Sequence, residues 1–193
     1  MRTRLTISAV AIAALGCSNS TAPSGRAPLS FDSGNDQSDT IETVLAQPLV
    51  VRLSRVPSGQ SVANQEVQFA SIPFDGSAYR AFMLPPGATY RQASATATTN
   101  ASGVAQMTIV LGVSTGIGRI VVSVPAFGYA DTAQFTVSAG HAVTLRALPF
   151  DTAAFVGNAV ALENTGLDTY QNATSDTVKY TLLSGPGRSR GPR

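Results

Sequence analysis

The residues that come nearest to a catalytic set lie between Gly112 and His141. Gly112-Val113-Ser114-Thr115-Gly116 matches the Gly-x-Ser-x-Gly pattern of hydrolase nucleophiles, and Asp131 and His141 follow it in the order Ser, Asp, His. That pattern exposes a reactive serine only where a strand turns sharply into a helix. Here the sequence continues as β-type after Gly116, so we expect a hairpin loop between two strands. A serine hydrolase using Ser114 is therefore a remote alternative, and we predict no catalytic residue and no enzyme.

Residue counts exclude much metal and nucleotide chemistry. The 193-residue chain has one cysteine, one histidine (His141) and one lysine (Lys179). These counts rule out internal disulfides, paired-histidine metal motifs and phosphate-binding loops that end in Gly-Lys-Ser/Thr. A calcium loop beginning at Asp32 would need glycine at its sixth position and glutamate at its twelfth, where the chain has Gln37 and Thr43. We predict no metal and no cofactor.

The only cysteine, Cys17, follows an apparent export signal. Residues 1–16 contain two arginines and then an apolar run that is shorter than the about 20 residues of a membrane-spanning helix. Ala14-Leu15-Gly16-Cys17 resembles the bacterial lipobox, although the usual leucine stands one place late. The resemblance implies lipidation of Cys17 and a membrane anchor and, with Ser18 next, an outer-membrane location at the cell surface or periplasmic face. The alternative is ordinary secretory cleavage at the same bond.

The basic character of the whole chain does not predict nucleic-acid binding. The formal charge is +2 and the isoelectric point is about 9.0, with 13 basic and 11 acidic residues. Two arginines belong to the signal and three to residues 188–193, which leaves eight basic residues against the 11 acidic ones. The remaining chain is therefore acidic overall, and we expect no nucleic-acid partner.

The rest of the chain is divided by composition and by alternation. Residues 17–42 are rich in polar and turn-forming residues and poor in apolar ones, which predicts a flexible tether. Farther along, apolar and polar residues alternate, and turn residues separate the runs every 8 to 12 positions. The clearest runs are Gly103–Leu111, Arg119–Val124 and Gln134–Ser138. This spacing predicts an all-β protein with an antiparallel β-sandwich over residues 43–140.

A turn-and-strand motif and three strand motifs occur together within that range. They are Thr98-Thr99-Asn100-Ala101-Ser102-Gly103-Val104-Ala105, Val67-Gln68-Phe69, Gly118–Val124 and Gln134–Val137. Together they resemble bacterial immunoglobulin-like domains of the invasin and intimin type, whose turn reads T-D-x-x-G-x-A. Asn100 stands where that family often has aspartate. The resemblance implies an immunoglobulin-like sandwich and a role in cell-envelope display or adhesion.

A second group of strands begins at His141. Val143, Leu145 and Ala147 alternate with polar residues, and Asp168–Asn172 resembles the middle of a second immunoglobulin-like unit. We expect a partial second module over residues 141–187 and a disordered tail over residues 188–193. Half a sandwich lacks the sheet that covers its apolar face, so we interpret the chain as a truncated product or a fragment of a longer repeat protein. The alternative is pairing with another chain through an exposed edge.

One stretch of the predicted sandwich, between Ile72 and Gln92, alternates poorly and is rich in aromatic and arginine residues. Such residues on a loop are typical of recognition sites, so we predict a ligand site for a protein or glycan on the cell surface. Its candidate residues are Phe74, Tyr79, Arg80, Phe82 and Tyr90. A carbohydrate-binding accessory domain that uses these rings as a platform is the main functional alternative. A purely structural alternative is that the rings cover the open end of the sandwich and complete its core.

Overall fold

The protein is described from a computed structural model that covers residues 28–148, 155 and 157–181. The expected signal (1–16), the lipidation candidate Cys17 and the expected tail (188–193) lie outside these residues. Within them the fold is all-β, with one 3-10 turn at Pro125–Phe127 and no α-helix, which confirms the predicted fold class. The strands are β1 (Leu29–Ser33), β2 (Ser38–Thr40), β3 (Leu49–Leu53), β4 (Glu66–Ile72), β5 (Ala81–Leu84), β6 (Ser94–Thr98), β7 (Val104–Leu111), β8 (Gly116–Val124), β9 (Tyr129–Ser138), β10 (Thr144–Leu148) and β11 (Glu163–Leu167).

The first nine strands form two sheets that pack face to face. One sheet has the order β1-β3-β7-β5 and the other has the order β2-β9-β8-β4-β6. Their neighbouring strands are antiparallel, except that β2 runs parallel to β9, with Ser38 opposite Thr136 and Thr40 opposite Ser138. The two sheets thus form the β-sandwich that the alternation predicts.

The core consists of the inward-facing residues of both sheets. Alternate residues of β7, β8 and β9 are buried, as their period-two patterns predict. The largest fully buried side chains are Phe69, Phe135, Leu49, Leu53, Met83, Met107, Ile109, Leu111 and Ile120. Burying a side chain of this size contributes roughly 1.5–3 kcal/mol, so this shared core is the main source of stability.

The tether predicted over residues 17–42 is wrong for the described part of that range. β1 pairs with β3 and β2 pairs with β9, so both strands belong to the sandwich. Leu29 is buried in the core, and Asp32 forms an ion pair with Arg52 of β3 at 2.5 Å. These short edge strands are held by pairing with their neighbours more than by burial. Their sequence can therefore be as polar as that of a linker.

The turn between β6 and β7 has the geometry expected of the Asn100–Gly103 motif. The Asn100 side-chain oxygen Oδ1 accepts the backbone N–H groups of Ser102 and Val104 at 2.9 and 3.1 Å. Gly103 has a φ of +71°, and a Cβ there would lie 2.5 Å from the Leu53 carbonyl oxygen. Glycine is therefore required both by the backbone conformation and by the close approach of β3.

Residues 141–181, which we call the C-terminal segment, contain a separate two-stranded sheet. β10 and β11 pair antiparallel from Thr144 opposite Leu167 to Leu148 opposite Glu163. The strand predicted around Val143–Ala147 is therefore present. Its apolar side chains remain exposed, however: Val143 is 65% and Leu145 is 48% accessible to solvent.

Candidate functional site

Four of the five predicted ligand-binding residues lie between β4 of one sheet and the end of β5, an edge strand of the other sheet, and the fifth, Tyr90, lies on the loop before β6. After β4 ends at Ile72, residues Asp75–Ala78 form a turn in which the Ala78 N–H donates to the Asp75 carbonyl at 2.8 Å. The chain then crosses to the other sheet as β5, where Ala81 and Met83 are buried. β5 is an edge strand, so the Pro85-Pro86 pair directly after it interrupts no interior ladder. The poorly alternating stretch thus contains the connection between the two sheets and one edge strand.

Arg80 is held in a defined position between this turn and the loop that joins β7 to β8. Its Nε donates to the Thr115 carbonyl at 2.6 Å, and its guanidinium carbon lies 3.6 Å from the centre of the Phe74 ring. Gly116 makes room for it, since a Cβ there would lie 3.1 Å from both Nε and Cζ of Arg80. The guanidinium group is therefore oriented before any ligand arrives.

Tyr79, Phe82 and Arg91 form a second cluster. The Tyr79 and Phe82 rings meet edge to face, with 5.7 Å between their centroids, and the Arg91 guanidinium lies over Phe82 at 4.8 Å. Arg91 also donates to the Leu111 carbonyl at 3.3 Å and lies 3.8 Å from the Glu42 carboxylate. This cluster connects β5 to the chain between β2 and β3.

The five predicted residues do not form one flat platform. Phe74 pairs with Arg80, Tyr79 pairs with Phe82, and Tyr90 is 69% exposed on the loop before β6. None of the five belongs to the buried core, to which this stretch contributes Ala81 and Met83 instead. These five residues and Arg91 lie beside the core, and we call them the arginine–aromatic surface.

The Ser114 loop differs from the hairpin expected for it. β7 and β8 belong to different sheets, so residues 112–115 pass from one sheet to the other. Asp131 is opposite Val122 on β8, six residues from Gly116, which is about 20 Å along the strand. Asp131 and Ser114 therefore lie toward opposite ends of β8, and this arrangement gives no support to a Ser114 triad.

Asp168, which sequence reasoning did not select as a site residue, fixes the C-terminal segment to the sandwich. Its side chain is buried and accepts the Gly140 N–H at 3.1 Å and the Tyr170 and Asn172 N–H groups at 2.9 Å each. Asn172 also donates from Nδ2 to the Val113 carbonyl at 2.8 Å. The turn signature Asp168–Asn172 was visible in the sequence, but its contacts with distant residues were not.

The charge of Asp168 is stabilised where it is buried. Burial by itself raises the pKa of a carboxyl group, but the hydrogen bonds from the Asn172 side chain and from the N–H groups of Asn172, Gly140 and Tyr170 outweigh it. The pKa of Asp168 is therefore lowered from its ordinary value of 3.8. Asp168 is ionised near neutral pH and can accept all of these hydrogen bonds.

Tyr170 connects the C-terminal segment to the arginine–aromatic surface. A hydrogen bond between its hydroxyl and the Glu42 carboxylate raises the pKa of Tyr170, with a further contribution from desolvation. Glu42 is also the carboxylate beside Arg91. The contacts from Tyr170 through Glu42 and Arg91 to Phe82 thus form one continuous polar and aromatic chain.

His141 lies at the junction, beside a polar cavity of about 400 Å³ between the sandwich and the C-terminal segment. The imidazole is fully exposed, and its Nδ1 is 4.0 Å from the Asp176 carboxylate. The Ala142 N–H donates to Asp176 at 2.6 Å, and this bond is the main reason that the pKa of Asp176 is lowered. Among residues 28–148, 155 and 157–181, no three His, Cys, Asp or Glu side chains come together as metal ligands.

Comparison with known proteins finds no family and no curated protein that matches this chain. Within the described part of the chain, no helix is long and apolar enough to cross a membrane. The β-sandwich and the geometry of its arginine–aromatic surface are therefore the basis for a functional proposal.

Proposed function

We propose that this chain is an exported lipoprotein of the cell envelope whose immunoglobulin-like sandwich serves as a non-catalytic adhesive, spacer or binding module. The observation that carries the proposal is the exposed arginine–aromatic surface held between two sheets. A rigid β-scaffold that presents aromatic and arginine side chains has the composition of binding hot spots. The signal-like N-terminus and the lipobox resemblance at Cys17 support anchoring.

The strand orders support the immunoglobulin-like part of the proposal. The order β1-β3-β7-β5 corresponds to an ABED sheet, and β9-β8-β4 corresponds to a GFC sheet. A departure is that β5 comes before β6 in the chain, whereas β6 is the strand added beside β4. The Asn100–Gly103 turn lies between β6 and β7, where the sequence motif predicts it.

Anchoring is tested by metabolic labelling of the expressed full chain with palmitate. We expect wild type to take up label and to fractionate with outer membranes, and Cys17→Ala to lose both properties. Ser18→Asp is the matched variant, which should keep the label but move the protein to the inner membrane. Membrane fractionation of Cys17→Ala together with unlabelled wild type would contradict the lipid anchor.

A carbohydrate-binding function is the second candidate, and the exposed ring of Tyr90 is what favours it. A sugar platform needs open ring faces, whereas Arg80 lies over Phe74 and Arg91 lies over Phe82. Glycan-array binding that disappears in Tyr90→Ala, and also in Tyr79→Ala and Phe82→Ala, would support this candidate. Array binding that is unchanged in the three variants would exclude these rings as the platform.

A further inference from the structure

A shallow cavity of about 310 Å³ lies where the end of β4 meets the start of β8, and we call it the Phe74 groove. Its lining residues are Ile72, Pro73, Phe74, Arg80, Ile117 and Arg119. Ile72 and Arg119 are opposite each other in the β4–β8 ladder, and Arg80 stands immediately before β5. One side of the groove is therefore built on paired strands, which fixes the backbone positions of Ile72, Ile117 and Arg119.

The groove carries two positive charges and no carboxylate in its lining. The ion pairs between described residues join Arg52 to Asp32 and Arg91 to Glu42, and His141 lies near Asp176, so none of these contacts uses Arg80 or Arg119. Arg80 is already oriented by the Thr115 carbonyl and the Phe74 ring. Guanidinium groups placed in this way favour a carboxylate, which they bind through paired hydrogen bonds.

The rest of the groove is apolar and partly open to solvent. Phe74 is 40%, Ile117 is 42% and Ile72 is 37% exposed. The lining has no hydroxyl or amide side chain that would pair with the hydroxyl groups of a sugar. A ligand that fits this surface carries an apolar side chain next to its negative charge.

We propose that the Phe74 groove binds a short acidic and apolar segment of a partner protein. A carboxylate of the segment lies between Arg80 and Arg119, and a neighbouring apolar side chain packs against Phe74, Ile72 and Ile117. This assignment rests on the proposed binding function and specifies the class of its partner. Charge complementarity is the reason for choosing an acidic segment.

The test is an NMR titration of the exported full chain in detergent with the peptide Gly-Glu-Phe-Glu-Gly. We expect saturable shifts of the Ile72, Ile117 and Arg119 amide signals that weaken as salt is added. The matched peptide Gly-Gln-Phe-Gln-Gly should bind more weakly. Arg119→Gln should lower the affinity about two- to fivefold, as expected for an exposed charge pair.

Two further variants test the specificity of that result. Ile117→Thr keeps a β-branched side chain and should also weaken binding, because it removes apolar contact. Arg55→Gln makes the same charge change on the exposed loop after β3 and should leave binding unchanged.

Three outcomes would overturn the proposal. The first is that millimolar peptide causes no saturable shift of the amide signals. The second is that Arg119→Gln and Arg55→Gln lower the peptide affinity equally. The third is that the protein binds a glycan through Phe74 and does not bind the peptide. Palmitate labelling does not depend on this groove, so failure here is distinguishable from failure of the lipoprotein proposal.

Discussion

Two turns, one in the sandwich and one in the C-terminal segment, have the same hydrogen bonds in different surroundings. Asn100 and Asp168 each accept, through Oδ1, the N–H groups two and four residues ahead. The residue three places ahead has positive φ in both turns, +71° at Gly103 and +65° at Gln171. The same local geometry therefore forms from two different sequences.

The two turns lead into different structures. After the Asn100 turn, β7 enters the middle of a sheet and buries Met107 and Ile109. After the Asp168 turn, the described residues form no further strand, and Ala173 makes an isolated β-bridge with Leu167. A few residues are thus enough to determine a turn, whereas burial depends on a second sheet that these few residues cannot supply.

The largest effect should come from emptying the sandwich core. Phe135→Ala removes a buried ring, and we expect it to lower the free energy of unfolding by about 3–5 kcal/mol. Leu145→Ala, on the exposed face of β10, should change it by no more than about 0.5 kcal/mol. Urea unfolding followed by circular dichroism measures both, and equal losses would remove the distinction between the two regions.

The glycine position distinguishes the two turns. Gly103→Val should destabilise the sandwich by about 2 kcal/mol or more, because its side chain meets the Leu53 carbonyl at positive φ. Gln171→Gly should instead stabilise the second turn by roughly 1 kcal/mol, since glycine accepts positive φ at less cost. Urea unfolding measures the first change, and amide exchange at Asn172 measures the second. A stable Gly103→Val protein would contradict the requirement for glycine in the first turn.

Removing the Asp168 carboxylate should release the C-terminal segment while the sandwich stays folded. Asp168→Ala leaves the Gly140, Tyr170 and Asn172 N–H groups without their acceptor, at a cost of about 1–3 kcal/mol. We expect faster proteolysis within residues 141–181 and unchanged protection of β7. Asn100→Ala is the matched change in the first turn, and it should affect the sandwich instead.

Acid should have the same effect as Asp168→Ala. Because the folded pKa of Asp168 is below 3.8, its contribution is complete above that pH and is lost as the pH falls through the folded pKa. Asp176, whose pKa is also lowered, titrates in the same direction. Proteolysis near pH 5 should therefore match that at neutral pH, with release only below about pH 4. Release already complete at pH 5 would contradict the lowered pKa.

The smallest effect should come from the Tyr170 hydroxyl. Tyr170→Phe removes its hydrogen bond with Glu42, a contact near the surface, and should weaken docking of the C-terminal segment less than Asp168→Ala does. In wild type, the raised pKa means that Tyr170 should ionise at higher pH than a free tyrosine. Spectrophotometric titration of wild type and Tyr170→Phe measures this, and loss of the lowest-pH transition in the variant would contradict it.

Strands with strong alternation and a buried face could be predicted from the sequence. Ala105, Met107 and Ile109 in β7 and Ile120 and Val122 in β8 are buried as their spacing predicts. β1 and β2 could not be predicted, because they are held by pairing and only Leu29 of these strands is fully buried. β10 shows the converse: its alternation is clear, but no sheet among the described residues covers Leu145, which is 48% exposed.

The sequence predicts which part of the chain forms the candidate site, but not how its side chains are arranged in space. Aromatic and arginine residues concentrated between Ile72 and Gln92 indicated a surface, yet they divide into two clusters where the chain passes from β4 of one sheet to β5 of the other. Arg119 and Ile117 complete the Phe74 groove from β8, more than 30 residues farther along the chain. Strand pairing brings such distant residues together, and the alternation within one strand shows which face is buried but not which strand lies beside it.

The parallel pairing of β2 with β9 has a mechanical consequence. The chain enters this ladder at Ser38 and leaves it at Ser138, at opposite ends, so tension between these points loads its hydrogen bonds in shear and all together. β10 and β11 have the opposite arrangement, with Thr144 and Leu167 side by side, so pulling separates their bonds one at a time. A chain pulled at one point before β2 and another after β11 would therefore lose the β10–β11 pairing first, while the sandwich still bears the load.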